Sequence, residues 1–161
     1  MVRRPYESRR GFTLIELLIV IAMLAILAAI AIPQFASSTT QARAGALNNT
    51  VRAVSGQIVL YKLEHGDQLP DLAAASALGQ HFQPLTDVTT YNGVNRGSYV
   101  PRVPVNAVTG GSVVMDAGSF NSAGVPNPVA GADFIYDYGG GLGSGQLWGT
   151  SDRTTGTPAV P

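Results

Sequence analysis

One carboxylate stands where an apolar segment has little use for it. Between Phe12 and Ile32 the only polar residues are Thr13 and Glu16. A charged side chain on a membrane helix costs a few kcal/mol, less near the interface, and usually has a specific partner. Glu16 therefore asks for one. A second set of acids, Asp116, Asp133, Asp137 and Asp152, carries the oxygens that a hard cation such as calcium takes. They form no contiguous ligand string, and solvated turn carboxylates are the plainer reading. Other chemistries find no support. The chain has no cysteine, so thiol metal sites and disulfides are excluded. His65 and His81 lack metal-ligand spacing and are expected at the surface. No serine sits in a Gly-x-Ser-x-Gly elbow. The glycines from Gly139 to Gly145 lack the Lys-Ser/Thr that completes a phosphate loop.

These residues need elements to hold them. As a helix, residues 12–32 span about 30 Å, the thickness of a bilayer's hydrocarbon core. Arg3, Arg4, Arg9 and Arg10 precede the run against one acid, Glu7. The positive-inside rule places that flank in the cytoplasm and the rest outside. A cleaved secretory signal is a poorer description, because its apolar core is shorter and ends at a small-residue site. A plain single-span anchor fits the length but not Glu16. Pro33 follows the run; within a helix it would remove one hydrogen bond and introduce a kink. Ser37 to Thr40, Gly45 and Gly56 lower helix propensity, which makes them candidates for local melting. Leu47, Val51, Val54, Ile58 and Tyr61 nevertheless form one apolar stripe of an amphipathic helix, widened by Leu60 and Leu63. Gly66 ends it.

Leu72 to Leu78 reads as a short helix opened by Asp71 and followed by Gly79. Residues 81–98 show no period and are expected as loop. Ser112 to Asp116 is β-rich. Residues 133–138 alternate, with Phe134, Tyr136 and Tyr138 on one face and Ile135 on the other. A glycine-rich turn then leads to a returning strand, residues 146–150. Residues 152–161 read as a flexible tail.

The stretch Gly11-Phe12-Thr13-Leu14-Ile15-Glu16, with basic residues before it and an apolar run after it, resembles the class III signal of type IV pilins and of type II secretion pseudopilins. QIVLYKLEHGDQLP (57–70) and SYVPRVPVNAVTGG (98–111) resemble segments of major pseudopilins, although Ala107 stands where that family often has proline. The absence of cysteine favours the pseudopilin branch, since many type IV pilins close a C-terminal loop with a disulfide. The resemblance implies cleavage between Gly11 and Phe12 by a membrane peptidase and N-methylation of Phe12. The new α-amino group would be positive at neutral pH, and Glu16 of a neighbouring subunit would be its counter-charge when helices bundle and exclude water. A Glu16 hydrated at the membrane edge remains the alternative. Major pseudopilins also carry a calcium site in their C-terminal loops, for which Asp133, Asp137 and Asp152 are the candidates here.

The expected fold is α+β, a long N-terminal helix packed on a small antiparallel sheet. Residues 1–11 would be a leader, 12–33 the membrane and filament-core helix, and 34–66 its amphipathic half. Residues 67–151 would be the head and 152–161 the tail. Without residues 1–11 the chain loses four arginines and one glutamate, so its net charge falls from zero to −3. No basic patch recommends nucleic acid as a partner. The expected function is assembly rather than catalysis, with no cofactor unless calcium binds. The chain would be a single-pass inner-membrane subunit of a type II secretion pseudopilus. Its partners would be copies of itself, the prepilin peptidase and N-methyltransferase, the assembly platform, minor pseudopilins and the secretin. Two alternatives stand beside this, a surface type IV pilin and a membrane-tethered periplasmic binding module.

Overall fold

The computed structural model describes residues 11–138 and 144–160. Its elements are α1 (Leu14–Glu64), α2 (Leu72–Ala77), α3 (Gln83–Thr86), β1 (Thr89–Tyr91), β2 (Val94–Arg96), β3 (Val114–Asp116), β4 (Phe134–Tyr136), β5 (Leu147–Asp152) and β6 (Thr157–Val160). The chain divides into two compact units between Thr39 and Thr40. The leader proposed for residues 1–11 lies, apart from Gly11, outside the described residues.

The first unit is the start of α1. Its large apolar side chains from Phe12 to Ile32 are all strongly exposed in the single chain. Among the described residues, α1 is the one helix long and apolar enough to cross a membrane. The helix continues through Pro33 and through the polar stretch after it. Ser37 and Ser38 donate their hydroxyls to the Gln34 carbonyl, and Thr39 donates to that of Phe35, at 2.9–3.0 Å. Such back-bonding is how hydroxyl residues are accommodated inside a helix.

In the second unit, the stripe does what its period requires. Leu47, Val51, Val54 and Ile58 are buried in one core with Leu72, Phe82, Leu85, Val114, Phe134, Tyr136 and Leu147. Full burial of each such side chain stabilises the fold by about 1.5–3 kcal/mol. Leu60 and Leu63 do not widen the stripe; they are 42% and 76% exposed. At roughly 100° per residue, two steps beyond Ile58 turn Leu60 to the opposite side. Gly66 does end the helix in the left-handed region, with φ of 62°. A Cβ there would collide with the Tyr91 hydroxyl.

Asp71 caps α2 by accepting from the Ala74 amide at 2.9 Å. The segment 81–98, expected as loop, instead holds α3 and the antiparallel hairpin β1–β2. Its strands have three residues each, too short for a period to register. The local signal was Asn92-Gly93, whose φ values of 50° and 76° make the tight turn.

The main sheet has the order β3-β4-β5-β6. It is mixed rather than purely antiparallel, because β3 pairs with β4 in parallel. A parallel pair needs a long crossover, and residues 117–133 supply it. That crossover covers the sheet's far face. Ala117, Ala132, Ile135 and Trp148 form a second buried cluster there, backed by Met115, Phe120 and Val129. The alternation of β4 holds, with Phe134 and Tyr136 in the first core and Ile135 in the second. The tail reading of residues 152–161 is corrected. Asp152 accepts from the amides of Thr154 and Thr155, and the turn it closes returns β6 antiparallel to β5. These bonds hold the Asp152 carboxyl below the usual carboxylate range.

Candidate functional site

The N-terminal site is built on the first turn of α1. Thr13 precedes the first helical residue, and Glu16 is the third. The Glu16 amide donates to Thr13 Oγ1 at 3.3 Å, while Glu16 Oε2 accepts from the Thr13 amide at 2.8 Å and from its hydroxyl at 2.7 Å. This reciprocal pattern is a capping box, which satisfies amides that a helix N-terminus otherwise leaves orphaned. The spacing Thr-x-x-Glu announced it, and a reading directed at charge alone passed over it. Glu16 thus has a partner inside its own chain. It also keeps its carboxylate exposed at the helix start, beside Phe12, which is 76% exposed. Among the described residues a Cβ at Gly11 would meet nothing within 4 Å. The fold itself does not require glycine there.

The three aspartates proposed for calcium do not converge. Asp133 and Asp137 flank β4 four residues apart, a separation of about 13 Å along a strand. Asp133 is fully buried; its Oδ2 accepts from the Val113 amide at 2.9 Å. Its Oδ1 has no hydrogen-bond partner among the described residues and faces the Arg153 guanidinium at 3.8 Å. A cation already stands on that side. Asp137 Oδ2 accepts from the Ser144 amide and hydroxyl at 2.8 and 2.6 Å. Asp152 closes its own turn. Among the described residues no group of three or more His, Cys, Asp or Glu is placed to hold a metal ion.

The histidines differ from expectation. His65 is buried, not at the surface. It stacks on Tyr61 at 3.8 Å between ring centroids, and its nitrogens lie 2.9 Å from the Tyr61 carbonyl and 2.8 Å from Thr89 Oγ1. It ties the end of α1 to the β1–β2 hairpin. Beside it, the Tyr99 hydroxyl donates to Glu64 at 2.7 Å. Burial first, and then that bond to Glu64, push its pKa up to about 12. His81 is half-buried, bonded to Ser76 at 2.7 Å. Asn106 is a buried hub. Its side-chain amide donates to the carbonyls of Asp133 and Thr150, and its side-chain oxygen accepts from the amides of Val108 and Thr109.

Comparison with known proteins places this geometry in context. Residues 8–32 match the family model described as the prokaryotic N-terminal methylation motif. The chain is 30% identical over 104 residues to the type II secretion system core protein G of Pseudomonas aeruginosa, covering 62% of this chain and 68% of that protein. It is 31% identical over 124 residues to a type IV major pilin protein of Neisseria gonorrhoeae, covering 76% and 59%. It is 30% identical over 69 residues to the competence protein ComGC of Halalkalibacterium halodurans, covering 43% and 67%. No solved structure matches the chain.

Proposed function

Since the chain belongs to the type IV pilin-like family, we propose that it is a filament subunit, processed between Gly11 and Phe12 and assembled into a type II secretion pseudopilus. The observation that carries the reading is the motif over residues 8–32 on a helix whose apolar surface is bare in the single chain. Such a surface needs either lipid or like helices around it. The pseudopilus in particular is supported by the likeness to core protein G, which extends beyond the motif into the head. Before assembly the helix anchors the chain in the inner membrane, N-terminus cytoplasmic and head periplasmic. In the filament, the Phe12 amine faces Glu16 of a neighbour, and this pair sets the axial stagger.

A second reading, a surface type IV pilin, has its own support in the likeness to the gonococcal pilin, which spans more of this chain. Deleting the gene separates the two. Exoproteins stranded in the periplasm are expected for a pseudopilin. Lost surface filaments with normal secretion would sink the pseudopilus assignment.

Processing has a direct test. Gly11→Leu and Gly11→Arg are expected to abolish cleavage, while Gly11→Ala is partly tolerated, because the peptidase must approach the backbone closely there. Among the described residues a Cβ at Gly11 meets nothing within 4 Å, so loss in the Gly11→Ala protein is read as a loss of processing. Intact-mass analysis of the membrane fraction checks it. A mature wild-type protein starting elsewhere than Phe12 removes the assignment.

Asp133, Asp137 and Asp152 are proposed to serve the fold as local hydrogen-bond acceptors. The melting temperature is therefore expected to be the same in millimolar calcium and in chelator. A rise with calcium, by mass action on the folded state, would put an ion on these carboxylates.

A further inference from the structure

The β1–β2 hairpin turns on Asn92-Gly93, the sole place in the chain where glycine follows asparagine. An asparagine carboxamide is an electrophile, and the backbone nitrogen of the next residue can attack it. The nitrogen must be free, the next residue must not crowd the carbon, and the backbone must bring the two together. The turn meets the first two conditions. The last ladder pair is Tyr91 with Val94, so the Gly93 N–H stands outside the ladder. Asn92 and Gly93 are both exposed. Among the described residues nothing lies within 4 Å of where a Gly93 Cβ would stand.

The third condition follows from turn geometry. Positive φ at both loop positions, 50° and 76°, is the type I′ turn. There the first loop residue has ψ of about +30°, the mirror of type I. Type II′ keeps the sign of that φ and takes ψ to about −120°. A flip of the one peptide between Asn92 and Gly93 interconverts the two, and glycine accepts either sign of φ. In the flipped state the Cβ of an L-residue is eclipsed with the following nitrogen, as closure of a five-membered ring through Cγ requires. The other asparagines fail one condition or another. Asn48, Asn49 and Asn95 lie inside regular elements. Asn106 is buried with both ends of its carboxamide bonded. Asn121 holds two amides with its Oδ1, and Asn127 precedes a proline, which has no N–H.

We propose that Asn92 is a site of spontaneous covalent modification that loosens the hairpin from the end of α1. The Gly93 nitrogen bonds to Asn92 Cγ and gives up its proton. The carboxamide C–N bond breaks, and ammonia leaves with that proton. Water then opens the succinimide. Attack at the side-chain carbonyl gives aspartate, and attack at the main-chain carbonyl gives isoaspartate, in which the chain runs through Cβ and Cγ. Water is the one co-reactant. Isoaspartate adds a backbone carbon to a two-residue loop, and the type I′ geometry is lost. The strands joined by that loop hold the helix end. Thr89 Oγ1 lies 2.8 Å from His65 Nε2, and Tyr91 packs where Gly66 has no Cβ. Either product also adds one negative charge.

The test ages the full chain in detergent micelles at neutral and alkaline pH, with the same chain in urea as the unstructured reference. Peptide mapping by mass spectrometry reads the exchange of NH2 for OH at each asparagine, and chromatography separates aspartate from isoaspartate. Conversion is expected at Asn92 ahead of every other asparagine. It should quicken as pH rises, because the attacking nitrogen must lose its proton. The melting temperature of the aged protein should fall by roughly 5 °C, the scale of one lost buried hydrogen bond. Asn92→Gly leaves Gly-Gly, a pair that suits the turn, and should neither convert there nor lose melting temperature with age. Conversion in urea but none in the folded chain means that the turn protects Asn92, which overturns the proposal. So does conversion at Asn92 no faster than at Asn121. So does a constant melting temperature while isoaspartate accumulates.

Discussion

Cells that produce Glu16→Gln protein are expected to insert it, cleave it and fail to build filaments. Glu16→Leu should fail in the same way, and its insertion should survive or improve because the helix becomes more apolar. The two substitutions separate roles that the structure superimposes on one side chain. Glu16 closes a capping box with Thr13 inside its own chain, and glutamine serves in such a box as glutamate does. Only the charge distinguishes them. If the carboxylate neutralises the Phe12 amine of the incoming subunit, removing it leaves a buried charge unpaired. That costs about 3–5 kcal/mol, or a hundredfold or more in subunit addition at 1.4 kcal/mol per decade. Membrane fractionation, N-terminal mass and filaments sheared from the cell are read on each variant. Normal filaments from cleaved Glu16→Gln protein would eliminate the charge pair. If Glu16→Leu alone failed, the requirement would lie in the helix cap.

The second large effect is placed far from the membrane. Asn106→Ala is expected to lower the melting temperature of the head by roughly 10–20 °C. Four buried or half-buried bonds end on that one side chain. Alanine deprives them all of their partner. Unsatisfied buried groups cost about 1–3 kcal/mol each, and relaxation recovers part of the sum. A net loss of about 3–4 kcal/mol shifts the transition by the stated range for a unit of this size. Asn106→Asp should be worse still, because an anion would replace the amide that faces two carbonyl oxygens. Thermal unfolding followed by circular dichroism checks both. A shift below a few degrees would mean that water replaces the side chain at little cost.

What was legible followed physical range. The membrane-length run, the stripe from Leu47 to Ile58, the Asp71 cap and the alternation of β4 are all set by neighbours within a few turns or pleats, and sequence displays them. Glu16 stood out because its surroundings are uniformly apolar. Hidden were the features set by distant chain. The parallel pairing of β3 with β4 depends on where the crossover returns. His65 looked like a surface residue because the hairpin that buries it has strands too short to announce themselves. The role of Asn106 arises from carbonyls 27 and 44 residues away. Asp133, Asp137 and Asp152 were gathered by composition, which does not display that each is bonded locally in the fold.

The contact between Leu47 and Gly149 has a consequence in time. Leu47 packs where a Cβ on Gly149 would stand, so roughly a hundred residues of chain separate two surfaces that touch. Translation proceeds at about 5–20 residues per second. The helix therefore emerges on the order of 5–20 s before the strand that covers it. During that interval Leu47, Val51, Val54 and Ile58 present a continuous apolar face with nothing opposite. A nascent chain in this condition invites any other apolar surface nearby, including the same face of a sister chain. The head cannot close piecemeal, since β4 and β5, which supply Phe134, Tyr136 and Leu147 to the helix's core, come late in the chain. Each molecule must be carried through that exposed period by its surroundings before it has a finished surface.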